Sequence, residues 1–241
     1  MTDAETEPRK PAGRPATESA GGPGPRVCVL HTVAALPAVF EPLLRASAPH
    51  VRAYNVVDES LLADTVEHGP LPRTTARLAA YVRHAEAAGA EAVLVTCSSI
   101  GPAAEEVRAL AGIPVLRVDD PMASEAVRRG PRVGVLATLE STLVPTEELI
   151  RRRAAEQGVR ITVTTSACPG AYEARQAGEG EEHDRLIAGE AKRLAAENDV
   201  LVLAQASMAG AVGKLPEGEP GVPVLTSPRS GAAQLAQIRG K

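Results

Sequence analysis

The sequence is poor in aromatic residues and in cysteine, and both shortages exclude classes of protein. Aromatic residues make up 2% of the 241 residues, with no Trp and a single Phe. Proteins that hold single-stranded nucleic acid stack its bases on aromatic side chains, so the composition argues against that class. The three cysteines, at positions 28, 97 and 168, lack the Cys-x-x-Cys spacing of zinc sites. We therefore expect no metal and no other cofactor, and a reducing, cytoplasmic location.

Several other features are absent. No apolar run approaches the roughly 20 residues that a membrane-spanning helix requires. The net charge of −4 gives no general attraction to nucleic acid or to acidic membranes. The sequence contains neither a Gly-x-Gly-x-x-Gly nor a Walker A pattern, which argues against those nucleotide-binding folds. Gly-x-Ser-x-Gly, the nucleophile turn of the α/β-hydrolases, is also missing.

The hydrophobic residues that are present favour buried parallel sheets. They make up 44% of the chain and are mostly Val, Leu, Ile and Ala, as in sheets covered by helices on both faces. Residues 1–25 are different, since they are rich in Pro, Gly, Thr, Ala and Glu and show no apolar periodicity. That segment predicts a disordered N-terminal tail, and it has no apolar core of a signal peptide.

The most informative stretch is residues 93–102, in which an apolar strand runs into the sequence Thr-Cys-Ser-Ser and then into a predicted helix. Cys97 is thus placed at the carboxyl end of a buried strand and just before a helix. Amide groups at a helix start attract anions and favour the thiolate over the thiol. A catalytic thiol is one interpretation. A buried structural cysteine is the other, because cysteine is among the most buried residue types.

An internal repeat supports the catalytic interpretation. Three segments recur in the same order and at nearly the same spacing: 27–32 with 133–138, 96–100 with 204–208, and 112–116 with 221–225. We predict an α/β fold of two pseudo-symmetric halves, residues 26–125 and 126–241, each a parallel sheet flanked by helices. The active site would lie in the cleft between them, where Cys97 faces Gln205.

The duplicated layout resembles the aspartate/glutamate/hydantoin racemase superfamily, which also includes maleate isomerase and arylmalonate decarboxylase. The resemblance covers residues 26–235 and is carried by Thr96-Cys97, by residues 134–138 and by the turn at residues 203–208. In that family two cysteines flank the substrate α-carbon, and one removes a proton while the other returns it. This chain keeps the first cysteine and has Gln205 in place of the second. It also has Ser98 where the amino-acid racemases usually have Asn.

The resemblance implies an enzyme that acts without a cofactor on a small carboxylate, and it implies a homodimer. Gln205 cannot exchange a proton near neutral pH, so two-thiol racemisation does not fit this chain. A single thiol favours isomerisation or another one-sided outcome, by acid–base or nucleophilic chemistry. The alternatives are a lyase of the decarboxylase or elimination type and a non-catalytic binder of small molecules.

The candidate catalytic residues are Cys97, with His31 and His183 as possible second acid–base groups. Hydroxyl, amide and backbone groups at the strand ends would hold the carboxylate and the developing enolate. The candidate substrate-binding residues are Thr32, Asn55, Thr96, Ser98, Ser99, Thr138, Ser141, Thr142, Gln205, Ala206 and Ser207. Ser141 and Thr142 can equally cap a helix, and the histidines can equally be structural. Asp119 and Asp120 predict a helix cap and turn rather than a metal site.

Overall fold

The computed structural model describes residues 24–240, so the predicted tail at residues 1–25 lies outside this range except for its last two positions. The first part of the chain forms β1 (Arg26–His31), α1 (Leu36–Ser47), β2 (Arg52–Val57), α2 (Ser60–His68), α3 (Pro72–Ala87), β3 (Ala92–Val95), α4 (Gly101–Arg108), β4 (Val115–Arg117) and α5 (Asp120–Arg129). The second part forms β5 (Arg132–Ala137), α6 (Glu140–Glu156), β6 (Thr162–Ala167), α7 (Ala171–Gln176), α8 (Gly180–Ala195), β7 (Val200–Leu203), α9 (Ala209–Val212), β8 (Val224–Thr226) and α10 (Ser227–Ala233).

The strands form two four-stranded sheets with the same topology. The first has the order β2-β1-β3-β4 and the second the order β6-β5-β7-β8, and every pairing is parallel. Each strand of the first sheet thus has a counterpart in the second, as the sequence repeat requires. The predicted α/β fold with two parallel sheets is confirmed.

Both faces of each sheet are covered by helices, which is why the central strands are continuous apolar runs. In the first sheet, α3 and α4 cover one face, and α1 with Phe40 covers the other. In the second sheet, α5 and α6 cover one face and α8 covers the opposite face. None of the helices between residues 24 and 240 combines the length and the apolar character of a membrane span.

Two helices do not follow the predicted division into residues 26–125 and 126–241. The boundary at residues 125 and 126 falls inside α5, and buried residues of α5 such as Met122 and Val127 belong to the core of the second sheet. At the other end of the chain, α10 packs on α1, and Leu235 in the 3-10 turn after it belongs to the core of the first sheet. The division of the chain at residues 125 and 126 stays a prediction. The last helix, α10, packs against the first half.

Two helix starts lie close to the ends of the central strands. Helix α6 begins at Glu140, three residues after β5, and includes Pro145 in its interior. After Cys97, a 3-10 turn at Ser98–Ile100 leads directly into α4. The thiol is therefore one residue from the first helical turn, which brings backbone amides close to it.

Candidate active site

The candidate site lies at the carboxyl ends of the central strands. In an open parallel sheet, ligands bind where neighbouring strands send the chain in opposite directions. That point lies between β1 and β3 in the first sheet and between β5 and β7 in the second. Thr32 and Cys97 follow the first pair of strands, and Thr138 and Gln205 follow the second pair. The repeat therefore produces two such points, and they face one cleft.

A small inner cavity of about 40 Å³ contains most of the predicted residues. Val33, Leu36 and Leu62 form its apolar wall. The remaining lining residues are all predicted site residues: Thr32, Thr96, Cys97, Ser98, Ser99, Gln205, Ala206 and Ser207. The structure thus brings the Cys97 turn and the Gln205 turn together around one space, as the alignment of the two repeats predicts.

Cys97 is the only cysteine of the three that lines this cavity. Burial raises the pKa of its thiol, while the nearby Thr32 side chain, the amides of Ile100 and Ser99 and the Ser99 hydroxyl act in the opposite direction. The expectation that helix-start amides lower this pKa overall was wrong, because the loss of solvation outweighs them. The resting thiol is therefore protonated near neutral pH.

Thr32 lies beside Cys97 in the lining of the inner cavity. Its hydroxyl is buried and has no conventional hydrogen-bond partner within the described residues. Its proximity to Cys97 nevertheless lowers the pKa of the thiol. A buried hydroxyl without a full partner is available to a ligand in the cavity.

Gln205 is held in one orientation by Thr138. The backbone N–H of Thr138 donates to Gln205 Oε1 over 2.6 Å, and the Thr138 hydroxyl donates to the same oxygen over 3.0 Å. A backbone N–H can only donate, so the atom that faces it must be the amide oxygen. The side-chain NH₂ of Gln205 is left as a pair of donors for the cavity.

A larger outer cleft of about 840 Å³ lies next to the inner cavity. Thr32, Gln205 and Ser207 line both spaces, so the two are adjacent. Thr138 also lines the outer cleft. Its charged lining residues are Glu59 after β2 and Arg175 on α7. The sequence interpretation missed Arg175, whose only signal was its position on the helix that follows the end of β6.

His31 and Asn55 lie behind the cavity rather than on it. The His31 ring is fully buried against Phe40, with Nε2 at 2.9 Å from Asn55 Oδ1 and Nδ1 at 2.9 Å from Thr96 Oγ1. Burial lowers the pKa of His31, and the bond to Asn55 partly offsets this. A neutral His31 bound to Thr96 supports the strand end next to Cys97, one residue away from the lining.

Ser141 and Thr142 are also outside the two cavities. The Thr142 hydroxyl is fully buried and shares a 2.9 Å hydrogen bond with the Ser99 hydroxyl. The Ser141 hydroxyl is buried without a hydrogen-bond partner among the described residues. The bond between Ser99 and Thr142 ties the Cys97 turn to the first turn of α6, and it thereby joins the two halves.

His183 is buried on α8, with 1% of its surface exposed. Its Nδ1 lies 2.9 Å from Asp184 Oδ1, while Nε2 has no hydrogen-bond partner in the described part of the chain. His183 belongs to the lining of neither cavity. An acid–base role for His183 stays a prediction.

A buried ion pair supports the Cys97 turn from behind. Arg117 at the end of β4 is 1% exposed and forms two hydrogen bonds with Asp119, while it also binds Glu105 on α4 over 2.6 Å. Asp119 therefore pairs with Arg117 and makes no side-chain cap, so the capping prediction was wrong. The guanidinium lies against Gly101, where a Cβ atom would come within 2.3 Å of Arg117 Cζ.

Among residues 24–240 there is no group of three or more His, Cys, Asp or Glu side chains that could hold a metal ion. Asp119 and Asp120 are instead bound by arginines, since Asp120 pairs with Arg153. The donors that line the inner cavity are hydroxyls, one thiol and one amide. That set suits hydrogen bonds to an oxygen-rich organic molecule.

Comparison with known families agrees with this geometry. A sequence model of Asp/Glu/hydantoin racemases matches residues 30–235. The chain belongs to this family. The matched region begins in β1 and ends in the 3-10 turn after α10, so it contains both sheets and both turns of the site. Membership supports an isomerase of the racemase type. No curated protein sequence matches the chain significantly.

Solved structures of racemases share the fold at low sequence identity. Aspartate racemase from Picrophilus torridus is 15% identical with a TM-score of 0.65, covering 90% of this chain and 96% of its own. Glutamate racemase RacE1 from Bacillus anthracis is 17% identical with a TM-score of 0.64, covering 90% and 82%. Allantoin racemase from Klebsiella pneumoniae is 15% identical with a TM-score of 0.62, covering 88% and 86%. This Asp/Glu/hydantoin racemase family member thus has the family fold.

Proposed function

We propose that this protein is a racemase-like isomerase in which Cys97 moves a proton at the carbon next to the carboxylate of a small substrate. The observation that supports the proposal is the inner cavity, whose lining contains one thiol and one fixed amide donor from the carboxyl ends of two sheets. The hydroxyls of Thr32 and Ser98 complete a lining that can hold a carboxylate. No observation favours the lyase or the binder, and neither is proposed.

Cys97 acts first as a base in its thiolate form and then as an acid in its thiol form. The thiolate takes the proton from the α-carbon, the S–H bond forms, and the electrons of the broken C–H bond enter an enolate on the carboxylate. The same thiol then returns the proton, either to that carbon, which is exchange alone, or to the far end of a double bond conjugated with the enolate, which is isomerisation. A raised thiol pKa limits the fraction of thiolate but makes it a stronger base, which suits a weakly acidic carbon.

Gln205 would stabilise the enolate rather than exchange the second proton. Because Thr138 holds its oxygen, its NH₂ group donates to an oxygen of the substrate. Fixed donors aimed at developing negative charge lower the barrier. A neutral amide cannot supply a proton, so return occurs from the side of Cys97. Return to the same carbon only exchanges the proton, whereas return to the far end of a double bond conjugated with the enolate moves that bond and is an isomerisation. This mechanism requires no cofactor. The homodimer that the resemblance implies stays a prediction.

Proton NMR in deuterated water tests this proposal with a panel of small chiral 2-substituted carboxylates and dicarboxylates. We expect deuterium uptake at the α-carbon that is lost in Cys97→Ala and strongly reduced in Cys97→Ser. Cys168→Ala is the matched control, because Cys168 is buried in the core beside α8, outside the inner cavity. Exchange that persists in Cys97→Ala would overturn the mechanism.

A further inference from the structure

A further cavity of about 280 Å³, separate from the inner cavity and the outer cleft, is lined by residues of α2, α3 and α4. We call it the proline cavity, because Pro70, Pro72 and Pro102 line it. Its volume is close to the lower end of the range for small-molecule sites, about 300 Å³. Ser99 lines both this cavity and the inner cavity. An occupant would therefore contact the turn that carries Cys97.

The walls of the proline cavity are apolar and held in shape. Pro72 and Pro102 lie at the starts of α3 and α4, where proline fixes the backbone φ angle and removes an N–H group. These helix starts thus present ring carbons at positions where an anion-binding helix start has amides. Leu71 and Ala103 extend the apolar wall. A preformed wall keeps the entropic cost of binding a ligand low.

Glu106 on α4 is the one charged residue among the described residues that line the proline cavity. It is exposed, and its Oε2 accepts a 2.9 Å hydrogen bond from the Thr75 hydroxyl. It forms no ion pair within residues 24–240, whereas the neighbouring Glu105 pairs with Arg117 and Arg152. A carboxylate has about four lone-pair positions, so most of the accepting capacity of Glu106 is unused.

Thr74 adds a buried polar group to the same wall. The residue is 3% exposed, and its hydroxyl has no hydrogen-bond partner in the described part of the chain. It precedes Thr75, the residue bound to Glu106, in the first turns of α3. A buried hydroxyl without a partner costs free energy that a ligand can recover. The group that complements a carboxylate and a free hydroxyl is a cation with several N–H donors.

We infer that the proline cavity is a second ligand site, which binds a small organic amine with an apolar body. The ammonium group donates to the Glu106 carboxylate and to the Thr74 hydroxyl, and the body packs against the proline rings. The ligand lies against the Cys97 turn without entering the inner cavity. The inference goes beyond the proposed function and does not rest on it.

Saturation-transfer NMR titrations of the native protein test this inference with three probes that share a phenyl body. Phenethylamine carries a cation, 2-phenylethanol is neutral and 3-phenylpropionate carries an anion. We expect phenethylamine to bind about three- to fivefold more tightly than 2-phenylethanol, the effect of an ion pair with an exposed carboxylate, and 3-phenylpropionate to bind most weakly. Equal affinity of the amine and the alcohol, tighter binding of the anion or no binding of the amine would overturn the inference.

Two pairs of substitutions locate the bound amine. Glu106→Gln should remove the preference for the amine over the alcohol, whereas Glu59→Gln, which changes the carboxylate of the outer cleft, should retain it. Thr74→Val should weaken amine binding by about threefold without loss of stability, because the hydroxyl has no partner to lose. Thr146→Val is its control, since the Thr146 hydroxyl is also buried and unpartnered among the described residues but lies outside the cavity. A preference that survives Glu106→Gln or disappears in Glu59→Gln would refute the assignment.

Alkylation by iodoacetamide, followed by mass spectrometry of the Cys97 peptide, separates the proline cavity from the inner cavity. At saturating phenethylamine, Cys97 should still be alkylated to completion, because the amine leaves the inner cavity open. A rate that falls to zero as the amine binds would place the amine at the thiol and overturn the inference. None of these measurements requires turnover. Loss of deuterium exchange would therefore overturn the proposed function and leave the amine site standing.

Discussion

At the residue scale, the protonation of Cys97 is decided by a competition between solvation and hydrogen bonds. The amides of Ser99 and Ile100 point at the sulfur, as expected for a thiol before a helix, yet burial raises the pKa more than they lower it. A sequence shows the spacing that supplies the amides. It does not show how completely Leu36, Leu62 and the turn of the other half remove water from the thiol.

The pH dependence of Cys97 reactivity follows from this competition. Because the pKa is raised above the ordinary value of about 8.5, the thiolate fraction should still be rising above pH 9. We expect the rate of alkylation of Cys97 by iodoacetamide, followed by mass spectrometry, to increase with pH beyond the point at which a model cysteine peptide reaches its plateau. A plateau for Cys97 below pH 8 would contradict the burial argument.

Gln205 allows a gain-of-function prediction. If Cys97 is the only proton-transferring group, the native protein exchanges the α-proton without racemising the substrate. Gln205→Cys adds a second thiol to the lining of the inner cavity, on the turn of the other sheet, and we expect racemisation to appear, at a rate at least about tenfold above that of the native protein. Gln205→Ala is the control, because it removes the amide without adding an acid. Polarimetry beside NMR separates the outcomes, and equal racemisation by the native protein and Gln205→Cys would refute single-thiol chemistry.

The contacts that sequence interpretation missed join distant parts of the chain. Arg175 contacts Ser207, and Thr142 contacts Ser99, so neither contact is visible in the local sequence. Arg117 and Asp119 are an exception that could have been found. Residues two apart in an extended segment project to the same side, and opposite charges in that position suggest a pair.

At the element scale, the repeat predicted the two sheets well because it constrains strands that lie side by side. The central strands β1, β3, β5 and β7 each carry an apolar run that is buried on both faces, and these runs recur in the sequence. Helix starts are harder to predict from the sequence. Proline is typical of the first turn of a helix, whereas α6 contains Pro145 in its interior.

The turn after Cys97 depends on a glycine that has no strained backbone angle. A Cβ atom at Gly101 would meet the guanidinium of Arg117 at 2.3 to 2.8 Å, and Arg117 cannot move without breaking its bonds to Asp119 and Glu105. We expect Gly101→Ala to lower the free energy of unfolding by about 2 to 3 kcal/mol through overpacking. Chemical denaturation followed by circular dichroism measures this change.

Gly189 on α8 is the matched control for Gly101. A Cβ atom there would meet no heavy atom within 4 Å, and the residue lies within a regular helix. Gly189→Ala should therefore raise the free energy of unfolding by about 0.5 to 1 kcal/mol, because alanine loses less conformational entropy than glycine. Equal effects of the two substitutions would show that the contact with Arg117 does not constrain the turn.

At the scale of the whole molecule, the two halves are joined by more than the cleft between them. Glu105 on α4 binds Arg117 of the first sheet and Arg152 on α6 at 2.6 and 2.8 Å. Ala206, from the Gln205 turn, belongs to the hydrophobic core of the first sheet. The sequence predicted the halves but not these links, since a repeat describes what the halves share and not where they touch. A site that contains both the Cys97 turn and the Gln205 turn requires the two halves to keep a fixed relative position.

Leu235 gives a test of this coupling. It is fully buried against the first sheet although it lies near the end of the chain. Leu235→Ala should lower the free energy of unfolding by about 2 to 5 kcal/mol through loss of apolar contacts and the cavity that remains. Leu110→Ala is the control, because Leu110 is 82% exposed, and its effect should stay within about 0.5 kcal/mol.

Hydrogen exchange followed by mass spectrometry shows whether the loss at Leu235 reaches the second sheet. If the molecule unfolds as one unit, the most protected amides of β5 and β7 should exchange faster by the same factor as those of β1 and β3. Acceleration confined to the first sheet would mean that the halves open independently. The inner cavity would then depend on a contact that is made and broken, because Cys97 and Gln205 are carried by different sheets.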